Sequence, residues 1–112
     1  MAKRIEKVNE LLREEVGNIF LKDVEFPEGV LVTITRVEVS PNIFEAKVFI
    51  SVFPDNKTDN VFNILNKIIY GIQQKVNSRL RMRPIPRIRF IREEKTKEAA
   101  RVEELIDKAK KE

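Results

Sequence analysis

The sequence predicts a single α+β domain in which helices pack on one face of a three-stranded sheet. The 112 residues suffice for one compact domain and leave no room for two. Two long stretches place apolar residues at spacings of three and four, the period of a half-buried helix. Three shorter stretches are dense in β-branched residues or alternate apolar with polar, as strands do. In chain order they read α, β, β, α, β, with a further helical pattern at the C-terminus. A small sheet with helices over one face is the layer arrangement such an order favours.

Residues 4–21 set Ile5, Val8, Leu12, Val16 and Ile19 on one stripe of an amphipathic helix, widened by Leu11 and Phe20. Gly17 weakens its last turn. Pro27 and Gly29 in "EFPEGV" mark a turn. "VLVTITRVEVS" (30–40) reads as a strand, "PNIF" (41–44) interrupts it, and "EAKVFISVF" (45–53) resumes as a second strand close enough to form a hairpin. In that second strand Ala46, Val48, Ile50 and Val52 share one face; Glu45, Lys47, Phe49 and Ser51 share the other.

"PDNKTDN" (54–60) supplies turn and cap residues, with Thr58 or Asp59 as the expected N-cap. Val61, Leu65, Ile68, Ile72, Val76 and Leu80 then keep helical spacing. Gly71 falls inside this run, where glycine costs about 1 kcal/mol relative to alanine, so a break or kink is expected there. Pro84 and Pro86 end the helical region. "RIRFIR" (87–92) alternates, with Ile88 and Phe90 on one face and Arg87 and Arg89 on the other. Alternation puts Arg92 with Ile88 and Phe90. Residues 96–110 place Ala99, Val102, Ile106 and Ala109 at helical spacing, as a short helix or a frayed tail would. The expected division is a domain at 1–95 and a C-terminal tail at 96–112.

Composition excludes several chemistries. With no cysteine and no histidine, disulfides, cysteine nucleophiles, histidine-based triads and common zinc sites cannot be built. Three glycines, at 17, 29 and 71, cannot supply a phosphate-binding loop or a dinucleotide fingerprint. The adjacent carboxylates Glu14/Glu15, Glu93/Glu94 and Glu103/Glu104 read as solvated surface. An enzyme is therefore not expected, and neither is a cofactor or metal. No apolar run is long enough to span a membrane, and the N-terminus lacks a signal-peptide core. A cytoplasmic location fits the absence of cysteine.

Charge carries the functional signal. Charged residues make up 36% of the chain, which could by itself be a heat-tolerant solvated surface. Their distribution argues otherwise. Lys67 to Arg92 holds eight basic residues and no acidic one, while the other 86 residues hold 14 basic and 18 acidic. Arginine forks suit phosphate oxygens, and a line of them without intervening acid displaces counterions from a nucleic acid. Lys75, Arg79, Arg81, Arg83, Arg87 and Arg89 are the candidate contacts, and Lys3, Arg4 and Lys7 on the first helix extend them. Arg36 is weaker, because Glu38 or Glu45 can pair with it. Phe44, Phe49, Phe53, Tyr70 and Phe90 could stack bases, but each is read as a core or hairpin residue, with Tyr70 half-buried on its helix. The competing class is a protein–protein module using the open sheet face or an edge strand such as 87–92. A DNA binder is weaker still, since no helix-turn-helix signature is visible.

The order of elements is similar to that of KH domains, which clamp nucleic-acid backbone with a GxxG loop, yet no two glycines here lie three apart. Four stretches together resemble the ribosome-binding factor A family: "KRIEKVNELLREEV" (3–16), "TRVEVSPNIFEAKVFISV" (35–52), "RLRMRPIPRIRF" (79–90) and "EAARVEELI" (98–106). The resemblance implies a type II KH-like fold with a kinked helix pair in place of the GxxG loop. Ile69-Tyr70-Gly71 stands at the kink, with Ile69 where the family has a small residue. It further implies a non-enzymatic assembly factor and a monomer. The implied partners are the small (30S) ribosomal subunit and its 16S rRNA near the 5′ end, with a functional link to maturation GTPases. Late rRNA processing and cold adaptation are the implied roles.

Overall fold

The computed structural model describes residues 2–94; the C-terminal pattern at 96–110, and the boundary expected at 95/96, lie outside the described residues. The elements are α1 (Ala2–Asp23), β1 (Leu31–Val39), β2 (Glu45–Phe53), a short 3-10 turn (Asp55–Lys57), α2 (Thr58–Arg79) and β3 (Arg87–Arg92). β2 and β3 have the expected bounds. The sheet order is β1-β2-β3, with β1 antiparallel and β3 parallel to β2. A hairpin joins the first pair, and α2 is the crossover that a parallel pair requires.

Both helices cover the same face. α1 buries Val8, Leu12, Val16, Ile19 and Phe20; α2 buries Val61, Leu65, Ile72 and Val76. The sheet meets them with Val37, Val39, Ala46, Val48, Ile50, Val52, Ile88 and Phe90 in a single core. Phe20 closes that core, its ring 5.8 Å from Phe90 and 5.5 Å, edge-on, from Phe26. The turn before β1 is as expected: Val30 N–H donates to the Pro27 carbonyl at 3.3 Å, and Gly29 takes φ +79°, which a side chain would resist there.

A β-bulge decides the phase of β1. Val32 and Ile34 lie opposite Val52 and Ile50, then one extra residue, Thr35, intervenes before Arg36 meets Phe49. Beyond it, Val37 and Val39 oppose Val48 and Ala46. Without the extra residue every later side chain would change face. Val37 and Val39 would leave the core, and Arg36 and Glu38 would enter it.

α2 is hydrogen-bonded continuously through Ile69, Tyr70 and Gly71, so of the expected break or kink the break does not occur. Glycine weakens a helix but keeps its N–H, so the hydrogen-bond ladder survives it. The expectation that Thr58 is the N-cap is corrected. Thr58 is already helical (φ −58°, ψ −48°), because the 3-10 turn runs directly into α2. Its hydroxyl donates back to the Asp55 carbonyl at 2.7 Å.

Each helix also caps one sheet edge with a side-chain amide. Asn9 Oδ1 on α1 accepts Val39 N–H at 2.9 Å. Gln73 Oε1 on α2 accepts Ile88 N–H at 2.8 Å while its Nε2 donates to the Pro86 carbonyl at 3.1 Å. An edge strand's unpaired backbone groups are thereby satisfied where the helices cross them.

Candidate nucleic-acid interface

The basic segment occupies three structural settings. Lys75 and Arg79 lie on the last two turns of α2, where both face α1. Lys75 Nζ pairs with Asp23 Oδ2 at 3.1 Å and Arg79 Nη1 with Glu15 Oε1 at 3.1 Å. The sequence groups these two with the other candidate contacts; in the fold their charge is offset by acids from the first helix.

After Arg79 the chain is extended, beginning at Leu80 (φ −90°, ψ 135°). Extended backbone alternates its side chains. Leu80 and Met82 therefore pack against the core while Arg81 and Arg83 both point outward. On a helix these positions could not have shared a direction. Arg83 Nη1 donates to the Met82 carbonyl at 2.8 Å, and neither arginine has an ion pair among the described residues.

β3 supplies the third setting. Ile88 and Phe90 are buried under the helices, so Arg87 and Arg89 project from the open face, as alternation predicts. Both are exposed and without an ion pair among the described residues. Arg92 follows the other phase and pairs with Asp55 at 2.9 Å. Lys3, Arg4 and Lys7 are exposed in the first turns of α1, the end fixed to the sheet through Asn9 and Val39. No hydrogen bond or ion pair joins them to Arg81 or Arg83 among the described residues.

The open sheet face is more balanced in charge than its arginines suggest. In register, Lys47 lies between Glu38 and Arg89, and Glu45 lies beside Arg87. Arg36 is neutralised by Glu38 and by Glu93, the latter at 3.2 Å, and not by Glu45. Its guanidinium sits 3.9 Å from the Phe49 ring centroid, a cation–π contact that leaves Phe49 only 8% exposed on the solvent side of the sheet. Among the described residues, the arginines of the basic segment that have no ion pair are thus Arg81, Arg83, Arg87 and Arg89.

The Ile69-Tyr70-Gly71 stretch divides by face. Ile69 packs at the rim of the core and lines a shallow depression of about 340 Å³ with Glu45, Arg87, Ile88 and Arg89. Tyr70 is 75% exposed, not half-buried as expected, because it falls off the stripe that α2 turns toward the sheet. Phe44, expected in the core or hairpin, takes the hairpin position, and sequence reasoning missed only its exposure, 60% in the β1–β2 turn. A signal existed in "NIF", where two adjacent apolar residues in a short turn cannot both point inward. A third exposed region lies elsewhere, a groove of about 600 Å³ between α1 and β1 floored by Phe20, Val32 and Ile34.

Among the described residues no helix is long and apolar enough to cross a membrane, and no group of three or more metal-ligating side chains is gathered. Comparison with known proteins gives a consistent result. A sequence model of the family described as ribosome-binding factor A matches residues 4–106. The chain is 32% identical over 107 residues to ribosome-binding factor A of Nitrosococcus oceani, covering 95% of this chain and 84% of that one. It is 40% identical over 90 residues to that of Akkermansia muciniphila, covering 80% and 71%. The crystal structure of ribosome-binding factor A from Thermus thermophilus superposes with a TM-score of 0.65 at 18% identity, over 79% of this chain and 94% of that one, a likeness of fold. Helices and strands in the expected order, a sheet covered on one face, and a match across nearly the whole length establish that this chain belongs to the ribosome-binding factor A family.

Proposed function

We propose that the chain is a non-enzymatic ribosome assembly factor that binds the small ribosomal subunit through its 16S rRNA, near the 5′ end, and supports late maturation and rRNA processing. Arg81, Arg83, Arg87 and Arg89 are the principal phosphate contacts, with Lys3, Arg4 and Lys7 on α1 as a second patch. Lys75 and Arg79 join them only by exchanging their α1 carboxylates for phosphate. The observation that carries this reading is the outward set of arginines from 81 to 89, without an ion pair among the described residues, in a chain whose family is named for ribosome binding.

Phosphate contacts fix position without reading bases, so the mechanism is recognition of RNA shape and charge. Binding one rRNA conformer more tightly than another shifts the population toward it. The factor works as a cytoplasmic monomer with a functional link to maturation GTPases. Cosedimentation with immature and mature small subunits across a salt series tests this. Affinity should fall steeply with salt and be greater for the immature particle; a flat salt profile would refute the electrostatic contact.

A second reading is favoured by one observation. The β1 edge from Leu31 to Thr35 carries no charge and borders the 600 Å³ groove beside exposed Leu21. Such an edge can accept a strand from another protein. The edge strand expected from sequence, 87–92, is less suited, since Gln73 already occupies Ile88 N–H and the Pro86 carbonyl. Binding that resists salt and survives nuclease treatment of the subunit would select this reading.

A further inference from the structure

We propose that Phe44 is a stacking platform for an unpaired base of single-stranded RNA, with Arg87 taking the adjoining phosphate; this rests on the RNA-binding reading above and names the form of RNA that the site takes. The β1–β2 turn fixes the backbone of Phe44. Asn42 Oδ1 accepts Phe44 N–H at 3.1 Å and the Ser40 hydroxyl at 2.6 Å. Ser40 in turn accepts Glu45 N–H on Oγ at 3.1 Å and donates its own N–H to the Glu45 carbonyl at 2.8 Å. The Phe44 carbonyl accepts Arg87 N–H at 2.8 Å. Both backbone groups of Phe44 are therefore fixed, and the second bond ties its position to the first arginine of β3.

The residue before it explains its direction. Ile43 adopts φ +62°, a conformation that β-branched residues rarely take, and its side chain is buried in the core. With Ile43 turned in, Phe44 is turned out. Strain held in a turn that presents a large apolar ring to water is an arrangement associated with binding sites. The molecule also shows how an aromatic on the wet side can be covered: Arg36 lies over Phe49. Phe44 has no such cover and makes no ring contact among the described residues. Beside it, Arg87 is exposed and has no ion pair among the described residues.

An exposed ring on fixed backbone, tied by a main-chain hydrogen bond to an exposed arginine, suits sequence-tolerant binding of a single strand, with the base stacking on the ring and the phosphate meeting the cation. A duplex keeps its bases stacked on one another and offers none to Phe44. The site thus distinguishes unpaired from paired RNA, which Arg81 and Arg83 alone do not.

The chain contains no tryptophan, so Phe44→Trp provides a single reporter. A mixed-sequence single-stranded RNA should quench its emission saturably, and the same strand annealed into a duplex should quench several-fold less. Leu21→Trp, on the groove side of α1, should not respond. Phe44→Ala should weaken single-strand affinity roughly 5- to 150-fold and leave duplex affinity unchanged, while Phe44→Tyr retains binding. Equal losses for both RNA forms, or no loss, would overturn the stacking role while the phosphate contact stands. Failure of the wild-type protein to bind either RNA at low salt would remove the RNA reading as well. Quenching by small subunits that persists after nuclease digestion would assign Phe44 to a protein contact and overturn the proposal.

Discussion

Lys75 and Arg79 on α2 and Arg81 and Arg83 just beyond it carry the same charge in opposite circumstances. The first pair points into the seam between the helices and meets Asp23 and Glu15. The second pair points outward from extended backbone and meets no carboxylate among the described residues. The difference arises from the end of a helix. Backbone that stops coiling at Leu80 changes the side-chain period from 3.6 to 2, and two arginines two positions apart come to share a side. A run of like charge in a sequence is therefore not one surface. Its parts are sorted by secondary structure and by what the rest of the chain brings to them.

The sharpest way to break the comparison is charge reversal of the outward pair. Arg81→Glu with Arg83→Glu should lower affinity for small subunits at least about tenfold at moderate salt and reduce the slope of log K against log salt by about 2. Cosedimentation at several salt concentrations reads both, and circular dichroism should show an unchanged fold. An unaltered slope would move the contact elsewhere.

Gln73→Ala tests what holds the second half of the basic segment in place. It removes the partner of Ile88 N–H and should destabilise the domain by about 1–3 kcal/mol, measured by urea unfolding. Loss of subunit affinity beyond that of fold stability would show that β3 must be pinned for Arg87 and Arg89 to act.

Gly71→Ala follows next. A Cβ there meets nothing within 4 Å, and the helix is continuous, so the substitution should stabilise by about 0.5–1 kcal/mol. Destabilisation would mean that the glycine serves a bend that α2 needs.

The smallest effects belong to the paired cations. Lys75→Ala and Arg79→Ala each remove a partly exposed ion pair and should change stability by less than about 1 kcal/mol. Neither should alter the salt slope. A slope reduced by about 1 for either would show that the pair opens and its cation reaches RNA.

Much of the fold is legible along the chain because it depends on local period. The bounds of β2 and β3, the apolar stripes of α1 and α2, and the outward phase of Arg87 and Arg89 follow from spacing. The bulge at Thr35 is also written there, as valines and isoleucine in one phase through Ile34 and in the other from Val37, although β-branched density alone conceals it. Tyr70 lies off the stripe of α2, so its exposure also follows from spacing, whereas which of Ile43 and Phe44 turns inward depends on the core that distant parts of the chain supply.

Consecutive residues suffice to dictate the elements, their order, and the concentration of positive charge between Lys67 and Arg92. Packing is needed to set β3 parallel to β2, to bring Gln73 to its edge, and to choose which cations stay available. Glu15 and Arg79 are 64 positions apart, and only the placement of α1 beside α2 brings them within an ion pair's reach. Periodicity is a property of neighbours along the chain, whereas neutralisation of a charge depends on distance in space.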